Sequence, residues 1–507
     1  MTNKNLVNIT PLLTDSAIAR RWLFVTLALH ILLWTLIPNF IRHALPMDAA
    51  EGAVWGQSLQ LGYDRNPWLN AWLTRLAIEL GANSDIFVYL FSQLCVGLAF
   101  WSVWRLGRKM LSEVQAVVAV LMLEGAQYYT VAAVMFNDNV LELGLWPLLI
   151  LLFYRAVTLQ RKWDWLGVGI VAGLAMMAKY YIALLLFPMF LFLLSNAKAR
   201  KTFKKPGIYL ALLIFCLIIL PHVVWLFQHQ GVTLSYALNR VDGNQSSTWQ
   251  DYQSVLKFAV MQLATFLIPI LLFSFTLGRR KKVATPSLIK PAVNTHEEHF
   301  NKAFLWFVGT GSYMITVLLG LVAGWKMYVL WGTPLLSYWG VLLLLYVNPL
   351  ITKTRFFRFL VAVGVIFVLI LSIYSFSILC SRSATSANFP AKVFAQQITS
   401  IWHNRYSVPL PYVVGDRVLA SYVSRYSSDR PHASFSQGHT LVSPWINEQD
   451  MRRRGAIFIT YNRAFSKEIL SEFPSLKIVK IVQVNYVHAT AASQPDQILV
   501  GILAPQS

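Results

Sequence analysis

Apolar runs of roughly 20 residues recur along most of this chain, separated by short polar stretches, and a helix rising ~1.5 Å per residue needs about that many to cross ~30 Å of hydrocarbon. They predict spans over residues 22–40, 86–104, 114–133, 140–154, 165–179, 180–194, 207–227, 255–277, 303–322, 327–346 and 359–379, about eleven in all. After Cys380 the pattern changes. Candidate strands at 412–414, 456–460, 476–484 and 498–502 alternate with polar stretches, one of them helical in pattern at 464–473. The expectation is an α-helical polytopic membrane protein with a transmembrane part over residues 1–380 and a small α/β domain over 381–507.

One long stretch between the first two spans cannot lie in lipid. Residues 46–80, PMDAAEGAVWGQSLQLGYDRNPWLNAWLTRLAIEL, open with Asp48 and Glu51 three positions apart, which puts both carboxylates on one face of a helix. The same spacing suits a helix cap, with Asp48 accepting from backbone amides and Glu51 favouring the positive end of the dipole; the capping and chemical roles are compatible. A second helix start follows. Asn66 is placed to cap, Pro67 suits the first helical position, and Leu69, Trp72, Leu73, Leu76, Ala77 and Leu80 recur at helical spacing before Gly81. Two amphipathic helices along a membrane surface are expected.

Composition agrees with the pattern: 56% of the 507 residues are hydrophobic and 13% are charged. The formal net charge of +21 does not signal a nucleic-acid partner, because the cations sit in every second loop rather than in one stripe. Clusters around Arg105, Arg155, Arg200, Arg280 and Arg355 mark these loops as cytoplasmic. With an odd number of spans, the N-terminus is then cytoplasmic and the C-terminal domain external. Cys95, Cys216 and Cys380 fall in or at the ends of spans, which argues against a disulfide framework or a thiolate metal cluster.

No Walker loop, GxGxxG, GxSxG or HExxH is present. His296 and His299 lie in a cytoplasmic loop over residues 278–302 without a nearby third ligand. The external side is richer. Asp138 lies in a short Phe136-Asn137-Asp138-Asn139 turn, Lys179 where two spans meet, and Lys326 in the tight turn between the ninth and tenth spans. His222 and His229 are more readily packed than ligating, and Tyr236 and Arg240 follow them. Three carboxylates (Asp48, Glu51, Asp138) thus face several cations (Arg65, Lys179, Arg240, Lys326), the groups needed for acid–base work beside a phosphate clamp.

The Asp-x-x-Glu of the first loop, GYDRNPWLNAWL, the Asn-Asp turn, GLAMMAKYY, and PHVVWLFQH with YALNR resemble the ArnT-like, family 39 glycosyltransferases, over residues 22–346. One departure is Asn66-Pro67-Trp68, where the family often has two prolines after a Lys or His. The resemblance implies a GT-C fold and a hexosyl- or pentosyltransferase of the bacterial inner membrane. The donor would be a polyprenyl-phosphate-linked sugar and the acceptor lipid A, another glycan or a protein, at the periplasmic face. In that reading Asp48, Glu51 and Asp138 are catalytic candidates, and Lys179, Arg240, Lys326 and Arg65 bind the donor phosphate. No cofactor is required. With an acceptor already anionic, Asp48 would instead orient it or hold a divalent metal with Glu51 or Asp138. A monomer is expected. The alternative class, a transporter or flippase for a lipid-linked sugar, would line a path through the bilayer with its cations.

Overall fold

The computed structural model describes residues 14–82, 84–241, 248–278, 295–382, 384–437, 440–488 and 495–506. The chain enters α1 (Ser16–Ile41), whose first turn is capped by the Asp15 carboxylate accepting from the Ala17 amide at 2.7 Å. The first loop holds α2 (Met47–Gly56) and α3 (Leu69–Leu80). The bundle continues through α4 (Ile86–Met110), α5 (Glu113–Leu121), α6 (Asp138–Leu159), α7 (Lys162–Ala178), α8 (Ala183–Ser195) and the short α9 (Ala197–Arg200). Next come α10 (Pro206–Gln228), α11 (Val232–Val241), α12 (Thr248–Thr265) and α13 (Leu267–Ser274). The last helices of the bundle are α14 (Thr295–Phe304), α15 (Gly311–Ala323), α16 (Trp339–Val347) and α17 (Lys353–Leu379). Large apolar side chains such as Leu213 and Phe227 on α10, and Val361 and Phe376 on α17, stay exposed, as they do where the surrounding medium is lipid. The protein is multi-pass.

Among the described residues seven helices are long and apolar enough to cross a membrane, or nine if each of two bent pairs is one span. The expected count of about eleven is therefore not reproduced by length and composition. The run at 114–133 bends by 83° after Gly125, and the helix starting at Tyr180 meets the next piece at 92°. The run at 327–346 opens with a short 3-10 helix, Val329–Gly332, and turns, and becomes α-helical only at Trp339. Such backbone is tolerated because protein groups satisfy it. The Tyr128 hydroxyl donates to Gln262 Oε1 at 2.8 Å, and Gln262 Nε2 donates to the Val329 carbonyl at 3.0 Å. Of the loop expected at 278–302, residues 279–294 lie outside the described residues and α14 is already helical from Thr295.

The first loop departs from its sequence pattern in two places. Asp48 lies in the first turn of α2, but Pro46 occupies the capping position and no side chain caps the helix. Helix α3 starts at Leu69 rather than Pro67, because Gly62 and Pro67 pair across a tight turn in which the Tyr63 amide donates to the Asn66 carbonyl at 3.0 Å. That turn presents Asp64 and Arg65. The stop at Gly81 is as expected, its amide donating to the Ala77 carbonyl.

Beyond α17 and α18 (Ala391–His403) lies a six-stranded sheet: β1 (Tyr412–Gly415), β2 (His432–Gln437), β3 (Thr440–Leu441), β4 (Ala456–Thr460), β5 (Lys477–Val484) and β6 (Asp496–Leu503). Its order is β3-β2-β1-β4-β6-β5, with β2 and β4 parallel to β1, β6 antiparallel to β4 and β5 antiparallel to β6. The helices α19 (Arg417–Tyr426), α20 (Glu448–Arg454) and α21 (Lys467–Glu472) connect strands. The four expected strands are present, and α21 falls inside the expected helical stretch. The short β3 and β2 (HASFSQ) carry no strong hydrophobic alternation and were not signalled.

Helix α19, capped by Asp416, docks this sheet on the first loop. The Tyr422 hydroxyl donates to the Leu45 carbonyl (3.2 Å), the Leu45 amide donates to the Tyr426 hydroxyl (2.9 Å), Gln57 donates to Ser424 (3.0 Å), and Arg425 pairs with Asp85 (2.6 Å). Trp55, Tyr63, Phe136, Tyr422 and Phe435 belong to one continuous apolar core. The first loop is thus clamped between the bundle and the sheet.

Candidate active site

Asp48 is fixed by the asparagine that starts α6. Asn137 has extended backbone and caps this helix with Oδ1, accepting from the Val140 amide at 3.1 Å, so its Nδ2 is free to donate to Asp48 Oδ2 at 2.8 Å. The next residue, Asp138, pairs with Lys179 at the end of α7: Nζ lies 2.9 Å from Asp138 Oδ2 and donates to Asn139 Oδ1 at 2.5 Å. Burial raises the Asp48 carboxyl above the ordinary carboxylate range; the Asn137 hydrogen bond opposes this, Asp138 adds to it, and Lys179 and Arg65 oppose it.

The cations gather along a run of aromatic rings. Lys179 Nζ lies 5.7 Å from the Trp331 ring and 5.9 Å from that of Tyr181. Trp331 contacts Tyr328 at 4.9 Å between centroids, and Tyr328 carries the Arg240 guanidinium at 4.4 Å and Lys326 at 5.8 Å. Arg240 also donates to the Tyr236 hydroxyl at 3.0 Å, and Arg65 lies over the Tyr236 ring at 5.3 Å. Two backbone ties assemble this cluster. Thr233 of α11 donates to the Tyr63 carbonyl (2.5 Å), and the Lys326 amide donates to the Val241 carbonyl (3.0 Å). All four predicted cations therefore share one aromatic run.

Glu51 sits apart from Asp48 in its bonding. The Arg417 guanidinium, at the start of α19, donates through Nη1 to Glu51 and through Nη2 to Asp64 at 2.6 Å, and stacks on Phe435 at 4.4 Å. Arg65 approaches Glu51 only to 3.8 Å. Burial lifts the Glu51 carboxyl to about 7, against the pull of Arg417 and Arg65 and with Asp64 and Asp48 adding to the rise. Arg417 and Asp64 were not singled out from sequence; Asp64 stands within GYDRNP, but a carboxylate in a turn has an ordinary explanation.

His222 is a packing hub. Its Nδ1 donates to the Leu61 carbonyl at 2.6 Å and its Nε2 lies 2.5 Å from the Tyr180 hydroxyl, so the ring joins the first loop to the residue after Lys179. Gly62 lies against it: a Cβ there would come within 2.9 Å of His222 and 2.5 Å of Trp225. His229 stacks on Trp225 at 4.1 Å. Both histidines are structural in their contacts.

Among the described residues no three His, Cys, Asp or Glu converge as ligands, and Asp138, Glu51 and Asp64 are each engaged by a Lys or Arg while Asp48 accepts from an amide. His296 and His299 lie exposed on α14 and gather no third ligand among those residues. Within the bundle, sequence reading also missed a fully buried trio: His30 Nδ1 lies 2.9 Å from Glu124 and its Nε2 lies 3.2 Å from Gln93 Oε1.

The model of the dolichyl-phosphate-mannose-protein mannosyltransferase family matches residues 65–225, which include Arg65, Asp138, Lys179 and His222. The lipopolysaccharide core galacturonosyltransferase RgtB of Rhizobium johnstonii is 23% identical over 271 residues, 52% of this chain and 55% of that one. The lipid A galacturonosyltransferase RgtD of the same organism is 24% identical over 212 residues, 40% and 43% of the two chains. The chain spans about half the length of the curated relatives it matches. Crystal structures of ArnT from Cupriavidus metallidurans follow nearly the whole chain: the apo form aligns over 97% of this chain and 100% of that one (TM-score 0.62, 13% identity). The undecaprenyl-phosphate-bound form aligns over 96% and 99% (TM-score 0.56, 12% identity). The family model covers the segment from the first-loop turn through α10, and the ArnT chain path is followed from the first span to the sheet, so the protein has the fold seen in ArnT.

Proposed function

We propose that the protein is a membrane glycosyltransferase that moves a sugar from a polyprenyl-phosphate donor to lipid A, lipopolysaccharide or another acceptor at the periplasmic face of the bacterial inner membrane. The observation that carries this reading is one upward-tuned carboxylate, Asp48, within electrostatic reach of Lys179 and Arg65, two of the four cations that share a run of aromatic rings. The names of the matched relatives support it: two are galacturonosyltransferases acting on lipopolysaccharide core and lipid A, and one ArnT structure holds undecaprenyl phosphate. A transporter would distribute its cations along a path; here they cluster.

In this reading residues 1–380 form the catalytic membrane unit and residues 381–507 a periplasmic unit that braces the first loop. The N-terminus is cytoplasmic and one copy of the chain suffices. The donor phosphate lies among Lys179, Arg240, Lys326 and Arg65, with the anomeric carbon toward Asp48. The acceptor oxygen forms the new bond to that carbon as the bond from carbon to phosphate oxygen breaks. The acceptor proton passes to Asp48, and the cations stabilise the departing polyprenyl phosphate. Asp138 holds Lys179 in place, and Glu51, bonded by Arg417, is not the base. An acceptor phosphate would need no proton removed, and Asp48 would then only orient it.

The test is transfer by purified full-length protein in lipid nanodiscs, supplied with synthetic polyprenyl-phosphate-linked sugars and lipid A and read by mass spectrometry. A glycosyl mass gain that depends on Asp48 is expected. No gain with any donor, together with an unchanged lipid profile in a deletion strain, would refute the proposal.

A further inference from the structure

Arg65 is an unusual cation. Lys179 of the same aromatic-lined group is paired with Asp138 at 2.9 Å, whereas Arg65, 3.8 Å from Glu51, is outside hydrogen-bond distance and its buried Nε has no hydrogen-bond partner among the described residues. Burying a guanidinium N–H without an acceptor costs free energy unless something else arrives to accept from it. The nearby carboxylates are already taken: Arg417 bonds both Glu51 and Asp64, and these side chains are 8%, 5% and 6% exposed. Two first-loop carboxylates are thus neutralised largely by one guanidinium from the C-terminal sheet's α19. The neighbouring first-loop guanidinium is left under-bonded beside Tyr236 and Arg240.

From this geometry we infer that Arg417 is a positioning residue that releases Arg65 to the donor phosphate, by holding the two carboxylates that would otherwise capture it. The inference rests on the proposed phosphate-binding role of the aromatic cation cluster and adds to it a specific duty for the C-terminal domain. Arg65 follows Asp64 directly in the chain and approaches Glu51, so without Arg417 it is the nearest cation for both carboxylates. A side chain drawn into a buried ion pair is no longer available to a ligand. The groups facing Glu51 are Arg417 from α19, Arg65 and Asp64 from the turn, and Asp48 on its own helix. Arg417 is therefore the only one of them that comes from outside the first loop.

The experiment measures undecaprenyl phosphate binding to purified full-length protein in detergent, which needs no turnover. Arg417→Met should weaken binding about tenfold, and Arg417→Lys, which keeps one charge but not the fork, should lose less. Adding Glu51→Gln and Asp64→Asn to Arg417→Met should restore binding to within about threefold of the parent, because no carboxylate is left to capture Arg65. A structural latch would also be relieved by removing the orphaned carboxylates, so thermal unfolding is followed in parallel and Arg65→Met is added to the triple variant. The inference requires folded Arg417→Met to bind weakly and the rescue to vanish without Arg65, and a rescue that survives Arg65→Met would overturn it. Parental binding by folded Arg417→Met, or a triple variant as weak as Arg417→Met, would overturn the inference while leaving the proposed function intact. Failure of the parent itself to bind undecaprenyl phosphate would overturn the proposed function and the inference together.

Discussion

Replacing Asp48 by Asn isolates charge from shape. The carboxylate caps no helix, since Pro46 occupies the capping position of α2, so no capping energy is at stake. Its one hydrogen bond is accepted from Asn137 Nδ2 at 2.8 Å, and an Asn oxygen accepts it equally well. Asp48→Asn should therefore change stability by less than about 0.5 kcal/mol. Asp48→Ala, in contrast, orphans the amide donor of buried Asn137 and should cost ~1–3 kcal/mol. As the base, Asp48 contributes a factor of roughly 10² to 10⁴, which Asn cannot supply. The pH profile adds a second handle. Burial raises the Asp48 carboxyl, and a base works only when deprotonated, so the parental rate should climb with pH through a midpoint above the ordinary Asp range. That limb should vanish in Asp48→Asn. The assay is single-turnover transfer from a polyprenyl-phosphate-linked sugar in nanodiscs, with thermal unfolding followed in parallel. Near-parental turnover by well-folded Asp48→Asn would remove Asp48 from the mechanism.

Lys179→Ala should lose ~2–4 kcal/mol of transition-state stabilisation, read as kcat/KM, while Lys179→Arg retains part of it; a rate equal to the parent's would make the Asp138 pair purely structural. His30→Leu should destabilise the bundle by about 3–5 kcal/mol because it leaves the fully buried Glu124 without its ring partner, and Glu124→Leu in the same background should recover much of that loss in thermal unfolding. An alkaline phosphatase fused after Gln506 should be active in cells, and an inactive one would reverse the proposed orientation.

Hydropathy alone determined that this is a multi-pass helical protein with a sheet at its end. The energy of placing apolar side chains in lipid is local and additive along a run, so pattern and length suffice. The same is true of Asp48, Lys179, Arg240 and Lys326 as candidates, since a charge beside an apolar span stands out against its neighbours. Two kinds of information were not local. Where backbone bends inside the bundle, as at 126 and 327–338, distant groups such as Gln262 satisfy it, and the apolar run reads as a straight span. Pairing across the chain is likewise invisible. The spacing of Asp48 suits a cap, yet its oxygen is bonded by Asn137, 89 positions away, and Glu51 on the same helix is held by Arg417, 366 positions away. Sequence spacing orders groups along one helix face, whereas which opposite charge meets a buried carboxylate is decided only when the whole chain closes around it.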